Sequence, residues 1–186
     1  MIITFIGNCQ TASLCFYFQQ LLRDSDVKWL LYGDEFKQHL GSWSDKIKNK
    51  IINNDIAFDV IEKSDVIIYQ EISKEKSIFC NTEILQTKKN ESCKLIKIPS
   101  IYLDYSNFDV SIKELKNREQ LNKVDITVSD IFEQNRDMCL VRGFVHPNTF
   151  LFLKVVDELC KMLIINSLTE EEKNMFLKDD NFMKLP

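Results

Sequence analysis

The stretch Ile2-Ile3-Thr4-Phe5-Ile6-Gly7-Asn8-Cys9-Gln10 determines how the rest of this chain is read. Ile2 to Ile6 is a near-continuous apolar run, the pattern of a strand covered on both faces within a parallel sheet. Gly7-Asn8 breaks the run. From Thr11 to Arg23 the apolar residues return at helical spacing, with Leu14, Phe18, Leu21 and Leu22 on one stripe and Gln19, Gln20 and Arg23 turned away. A buried strand that passes through a tight turn into an amphipathic helix opens an α/β fold.

The same alternation continues outward. Val27 to Tyr32 reads as a second strand, ended by Gly33-Asp34, Asp65 to Gln70 as a third, and Lys94 to Ile98 as a fourth before Pro99. The segment Ser44 to Ile61 reads as one helix with Ser44 as its N-cap. Helices are expected over Ile112 to Leu121, Asp125 to Arg136 and Asn148 to Ile164, and Thr169-Glu170-Glu171-Glu172 has the form of a capped helix start. Together these predict a three-layer α/β fold, a mainly parallel central sheet flanked by helices, with a helix-rich C-terminal part. A single domain over residues 1–186 is expected, with 1–108 as the sheet-forming part and 109–186 as the mostly helical part. Ligands of such folds bind beyond the carboxyl ends of the strands. That places Gly7 to Gln10, Gln70 and the segment after Ile98 at the working edge.

Composition narrows the function classes. With 45% hydrophobic and 28% charged residues the chain is that of a globular protein rather than a disordered one. A net charge of −4 with scattered basic residues argues against a nucleic-acid partner. No apolar stretch has the length of a membrane span, and the N-terminal run has no basic flank, so no signal segment or membrane span is expected. The six cysteines form no CxxC pair and no close Cys/His group, so no metal site is expected. Reduced thiols and a cytoplasmic location follow from that reading.

Two residues stand out for chemistry. Cys9 lies in the strand-to-helix turn, where outward backbone amides favour anions and developing oxyanions, a location expected to raise the thiolate fraction of a cysteine. Two readings of it stand side by side: a nucleophile, or a small buried residue. His146, in Phe144-Val145-His146-Pro147-Asn148, sits at the entrance of the long C-terminal helix, where an imidazole can act as a general base or simply cap the helix. His39 has no comparable setting and reads as a surface residue. The Gln70 amide would face the working edge or satisfy a backbone group. Arg136 and Arg142 flank the approach to His146, with guanidinium forks suited to phosphate or carboxylate, and Asp104-Tyr105 is placed to line the site.

Phe5-Ile6-Gly7-Asn8-Cys9-Gln10, Asp65 to Gln70, Ile98-Pro99-Ser100-Ile101-Tyr102, and Arg136 followed by Val145-His146-Pro147 form an ordered set. This set resembles the WcbI-like polysaccharide biosynthesis proteins, acetyltransferases associated with bacterial capsule synthesis that bind coenzyme A. The resemblance runs from about Ile2 to about Cys160. It implies acetyl transfer from acetyl-CoA, as co-substrate, to a hydroxyl of a sugar or glycan acceptor. It also implies that Cys9 and His146 are the catalytic residues of one pocket. Gly7, Asn8, Gln10, Arg136 and Arg142 then fall to the coenzyme A side, and Gln70, Tyr105 and Asn148 to the acceptor side. The chain departs from the family after Pro99, where Asp104-Tyr105 stands in place of a Gly-Tyr pair, and in Met138 to Phe144 before His-Pro. Two other readings of the same residues are a non-catalytic module binding coenzyme A or glycan, and an esterase-like hydrolase that admits water to the same Cys/His site.

Overall fold

The structure, a computed structural model, describes residues 1–22, 25–32, 38–41, 50–71, 79–142 and 146–178. The chain forms two units, Met1–Ser100 and Ile101–Pro186.

In the first unit, β1 (Ile2–Gly7) lies inside a sheet of order β4-β3-β2-β1-β5-β6. Its parallel neighbours are β2 (Asp26–Tyr32) and β5 (Val66–Gln70), and β6 (Lys94–Ile98) continues parallel beyond β5. The strands β3 (Gln38–Gly41) and β4 (Lys50–Ile52) add an antiparallel margin beyond β2. The interior position explains the unbroken apolar run, because both faces of β1 are covered. Phe5 meets Phe18 of α1 (Cys9–Leu21) edge to face at 5.3 Å. Ile6, on the opposite face, packs with Leu30, Ile67 and Tyr69 against Ala57 and Ile61 of α2 (Asn54–Lys63) and Leu85 of α3 (Thr82–Lys88). Ile3, Phe5 and Ile6 are fully buried, and each such side chain contributes about 1.5–3 kcal/mol relative to exposure. The one polar side chain among them, Thr4, shares a 2.7 Å hydrogen bond with Ser64. The α/β architecture and the interior strand expected over Ile2 to Ile6 are both present.

Asparagine starts the helices of this unit. Asn8, Asn53 and Asn81 each accept a first-turn N–H, from Gln10 at 2.9 Å, Ile56 at 3.0 Å and Glu83 at 3.1 Å. This corrects the expected helix over Ser44 to Ile61. Lys50–Ile52 is a strand, in which Ile52 is buried and Ile51 exposed, and Asn53 begins the helix only after it. Ile51 and Ile52 are both apolar between polar neighbours, so no alternation of polarity marks this strand in the sequence. Ser44 and Gly33-Asp34 lie outside the described residues.

The second unit is helical among its described residues apart from one short hairpin. A 3-10 turn, Tyr105–Asn107, leads into α4 (Phe108–Asn122), followed by α5 (Ser129–Gln134), β7 (Val141–Arg142), β8 (His146–Pro147), α6 (Thr149–Leu163) and α7 (Glu170–Lys178). The helix expected over Asp125 to Arg136 is the six-residue α5. Its start is set from a distance: buried Glu119 of α4 accepts the N–H groups of Val128 at 2.7 Å and Ser129 at 3.2 Å. That carboxylate does the work of an N-cap in trans, which periodicity does not register. The capped start at Thr169 is as expected, with Thr169 N–H donating to Glu172 at 2.8 Å and Glu172 N–H donating back to the Thr169 hydroxyl at 3.2 Å.

Candidate functional site

The order of the strands locates the crevice. The chain leaves β1 for β2 on one side, whereas β5 and β6 lie on the other, so the connections diverge from the carboxyl ends of β1 and β5. Open α/β sheets bind ligands at such a switch point. Here it is formed by Gly7, Asn8, Cys9 and Gln10 on one side and Gln70 on the other.

Two buried amides hold this turn. Gln70 Nε2 donates to Gln10 Oε1 at 2.8 Å and to the Pro99 carbonyl at 3.1 Å, tying the ends of β1, β5 and β6 together. Gln70 Oε1 lies 3.4 Å from the Asn8 N–H. Both side chains are nearly inaccessible, Gln10 at 3% and Gln70 at 1% exposure, which makes these bonds costly to lose. Gly7 permits the close approach: a Cβ there would stand 2.8 Å from Thr11 Cγ2 and 2.9 Å from Gln70 Oε1. The Asn8 carbonyl accepts the Thr11 hydroxyl at 2.6 Å and the Thr11 N–H at 3.0 Å, completing the helix start.

Cys9 is the first residue of α1, and its side chain is exposed. Burial pushes the thiols of Cys15, Cys93 and Cys160 up, Cys160 to about 11, and Cys80 is also buried. The three raised thiols are protonated near neutral pH, and all four are shielded from solvent. The accessible thiols are therefore Cys9 and Cys139. Residues Gly7 to Gln10 and Gln70 are thus brought together by one unit, with the amides buried and the thiol presented.

A second cluster stands at the same strand ends, and the sequence reading did not find it. The Glu71 carboxylate pairs with Lys97 and accepts the Thr82 hydroxyl at 3.0 Å, while the Tyr69 and Thr82 hydroxyls are 2.9 Å apart. Burial alone would raise the Glu71 carboxyl. The hydrogen bonds from Lys97 and Thr82 and the Lys97 charge outweigh it and hold the group below its ordinary value. A depressed carboxyl contributes stability above its unfolded value and loses it as pH falls through the folded one. Glu71→Gln is therefore expected to cost about 1–2 kcal/mol at pH 7. The gap should close as pH falls below the ordinary glutamate value of about 4.3. Urea unfolding at pH 7 and pH 3 measures it, and an equal gap at both would contradict this account.

The second unit gathers the other candidates on the β7–β8 hairpin. His146 is exposed and stands opposite Arg142 in the two-stranded ladder. The Arg142 side chain and residues 143–145 lie outside the described residues. Asn148 caps α6, accepting the Leu151 N–H at 2.9 Å, and its Nδ2 donates to the Cys139 carbonyl at 2.9 Å. The Tyr105 hydroxyl accepts the N–H groups of Leu140 at 2.5 Å and Val141 at 3.1 Å. Burial pushes the Tyr105 phenol above its ordinary value, against the pull of those two N–H groups. Arg136 pairs with Asp109 at 2.9 Å and lies over the Phe108 ring at 5.6 Å. Among the described residues no three His, Cys, Asp or Glu are grouped to hold a metal ion. None of the described helices is long and apolar enough to cross a membrane.

No protein-family model matches this chain, and no curated protein matches it. Among solved structures it is similar to WcbI, described as a novel polysaccharide biosynthesis enzyme and as the native protein without a disulfide bond between coenzyme A and one of its cysteines. The match has a TM-score of 0.66 and covers 92% of this chain and 71% of that one, at 14% identity. A likeness at that identity shows a shared fold.

Proposed function

We propose that this protein transfers an acetyl group from acetyl-CoA to a sugar hydroxyl in polysaccharide biosynthesis. The observation that carries the reading is the pinned turn at the switch point, where buried Gln10 and Gln70 fix the backbone and leave the Cys9 thiol exposed at the head of α1. The shared fold with an enzyme of polysaccharide biosynthesis, named together with coenzyme A, supports it. The fit is chemical as well. An exposed thiol and a helix N-terminus suit a thioester carbonyl, and the Gly7 turn keeps the backbone close to the strand ends.

In this reading acetyl-CoA supplies the activated acyl group. His146 removes the acceptor hydroxyl proton as the new C–O bond forms and returns it to the departing thiolate as the C–S bond breaks. The Cys9 backbone N–H and the N-terminus of α1 stabilise the oxyanion between those events. Gly7, Asn8 and Gln10 shape the thioester side of the site. Arg136 and Arg142 supply cationic groups for the coenzyme phosphates. Gln70, Tyr105 and Asn148 hold the walls on the acceptor side.

The test is thermal unfolding with coenzyme A and with acetyl-CoA, followed by thiol release with candidate sugars. Ligand at about 100 times its Kd should stabilise the fold by roughly 2.7 kcal/mol. The stabilisation should shrink with added salt and with charge reversal at Arg136 or Arg142. No stabilisation by millimolar coenzyme A would overturn the proposal.

A further inference from the structure

We infer that Tyr105 is a positioning residue for His146, an inference that rests on the proposed role of His146 as general base. The strands β7 and β8 have two residues each, and an isolated two-stranded ribbon is at best marginally stable in water. This hairpin therefore needs anchors outside its own ladder, and two are present. Where β8 leads into α6, Asn148 ties the ribbon to that helix: the Asn148 N–H donates to the Leu140 carbonyl at 2.8 Å, and Nδ2 donates to the Cys139 carbonyl at 2.9 Å. At the same open end, where the chain enters β7, the Tyr105 oxygen takes two successive backbone N–H groups, those of Leu140 and Val141.

Val141 pairs with Pro147 and Arg142 with His146, so a shift of Val141 is carried across the ladder to the segment that bears the imidazole. Tyr105 is itself held. Its ring stacks on Phe108 with centroids 5.7 Å apart and planes at 24°, and Arg136, paired with Asp109, covers the other ring. The hydroxyl oxygen is thus a fixed point on the 3-10 turn and α4 side from which the hairpin is suspended. The His146 side chain is exposed while Val141 and Pro147 beside it are buried, so the imidazole is placed by the backbone that bears it, and a displaced base transfers protons poorly.

Tyr105→Phe tests this, because it keeps the ring and its stack on Phe108 and deletes only the oxygen. The chain has two histidines, His39 and His146, so their ring-proton resonances are resolved by NMR and assigned with His39→Gln. In Tyr105→Phe the Leu140 and Val141 amides should exchange with solvent about tenfold faster, and the His146 resonance should shift or broaden. With acetyl-CoA and an acceptor, kcat should fall about tenfold with KM for both substrates unchanged. Wild-type exchange rates and an unmoved His146 resonance would overturn the inference. So would loosened amides with an intact kcat, or a loss confined to the acceptor KM, which marks a substrate contact instead. If the wild type transfers no acetyl group, the proposed function fails by that result alone, and the exchange and histidine spectra still decide whether Tyr105 positions His146.

Discussion

Replacing His146 with alanine is expected to lower acetyl transfer by about 10²–10⁴-fold, the usual contribution of a positioned general acid–base group. The unfolding transition should stay within about 0.5 kcal/mol of wild type, because the imidazole is exposed and the hairpin is held by backbone groups and by Asn148. Activity and stability therefore separate in this variant, as they would not if His146 served only to start α6. The cap of that helix is already Asn148, 2.9 Å from the Leu151 N–H. The companion variant is Cys9→Ser. If the acyl group passes directly to the acceptor, the thiol only lines the turn and the serine form should keep substantial activity. If Cys9 first takes the acyl group, serine should nearly abolish transfer, because a hydroxyl is far less ionised near neutral pH. Direct transfer is the expected route, since an acyl-thiol intermediate gains little over the thioester already present in the donor. An acetylated Cys9 peptide able to pass its acetyl group to a sugar would show otherwise. A His146→Ala protein with wild-type kcat would remove the base from the mechanism altogether.

The parts of this fold legible in the sequence are those specified by neighbours along the chain. The run Ile2 to Ile6 reads as an interior strand because every side chain is apolar, and β1 is paired on both edges. Asn8 reads as a turn residue, and its carbonyl and side chain start α1. The elements missed are those specified from far away. Gln10 and Gln70 are 60 residues apart, and their hydrogen bond exists because β5 returns to the free edge of β1, which no local pattern encodes. The pairing of Glu71 with Lys97 depends likewise on β6 lying beside β5, where Tyr69 stands opposite Lys97. Glu119 begins α5 across a turn, so the helix starts at Ser129 and not at the first residue of favourable spacing. Gln70 was legible as a polar residue ending an apolar strand. That both of its amide hydrogens are committed to Gln10 and Pro99 was not, and this commitment makes it a strut of the turn.

That strut gives the second large effect. Gly7→Ala is expected to destabilise the protein by about 3 kcal/mol, a large part of a typical folding free energy of roughly 5–15 kcal/mol. The added methyl would lie 2.8 Å from Thr11 Cγ2, 2.9 Å from Gln70 Oε1 and 3.2 Å from Gln70 Cβ, so something must move. Thr11 is tethered by its 2.6 Å hydrogen bond to the Asn8 carbonyl. Gln70 is tethered by Gln10 and Pro99, and its retreat would leave a buried amide unpaired, at about 1–3 kcal/mol. The alternative, a shift of the Gly7 backbone, would pull the head of α1 away from the strand ends and move Cys9 with it. Either response should weaken stabilisation by coenzyme A as well as the fold. The mechanism is tested by the double variant with Gln70→Ala, which removes the contact with Gln70 Oε1 and leaves those with Gln70 Cβ and Thr11 Cγ2. If the clash with Gln70 is the main cost, the two changes should be strongly non-additive, with Gly7→Ala costing at least about 1 kcal/mol less in the Gln70→Ala background. Equal costs in both backgrounds would place the strain at Thr11 Cγ2 and Gln70 Cβ instead and show that the Gln70 amide is not what resists the added methyl.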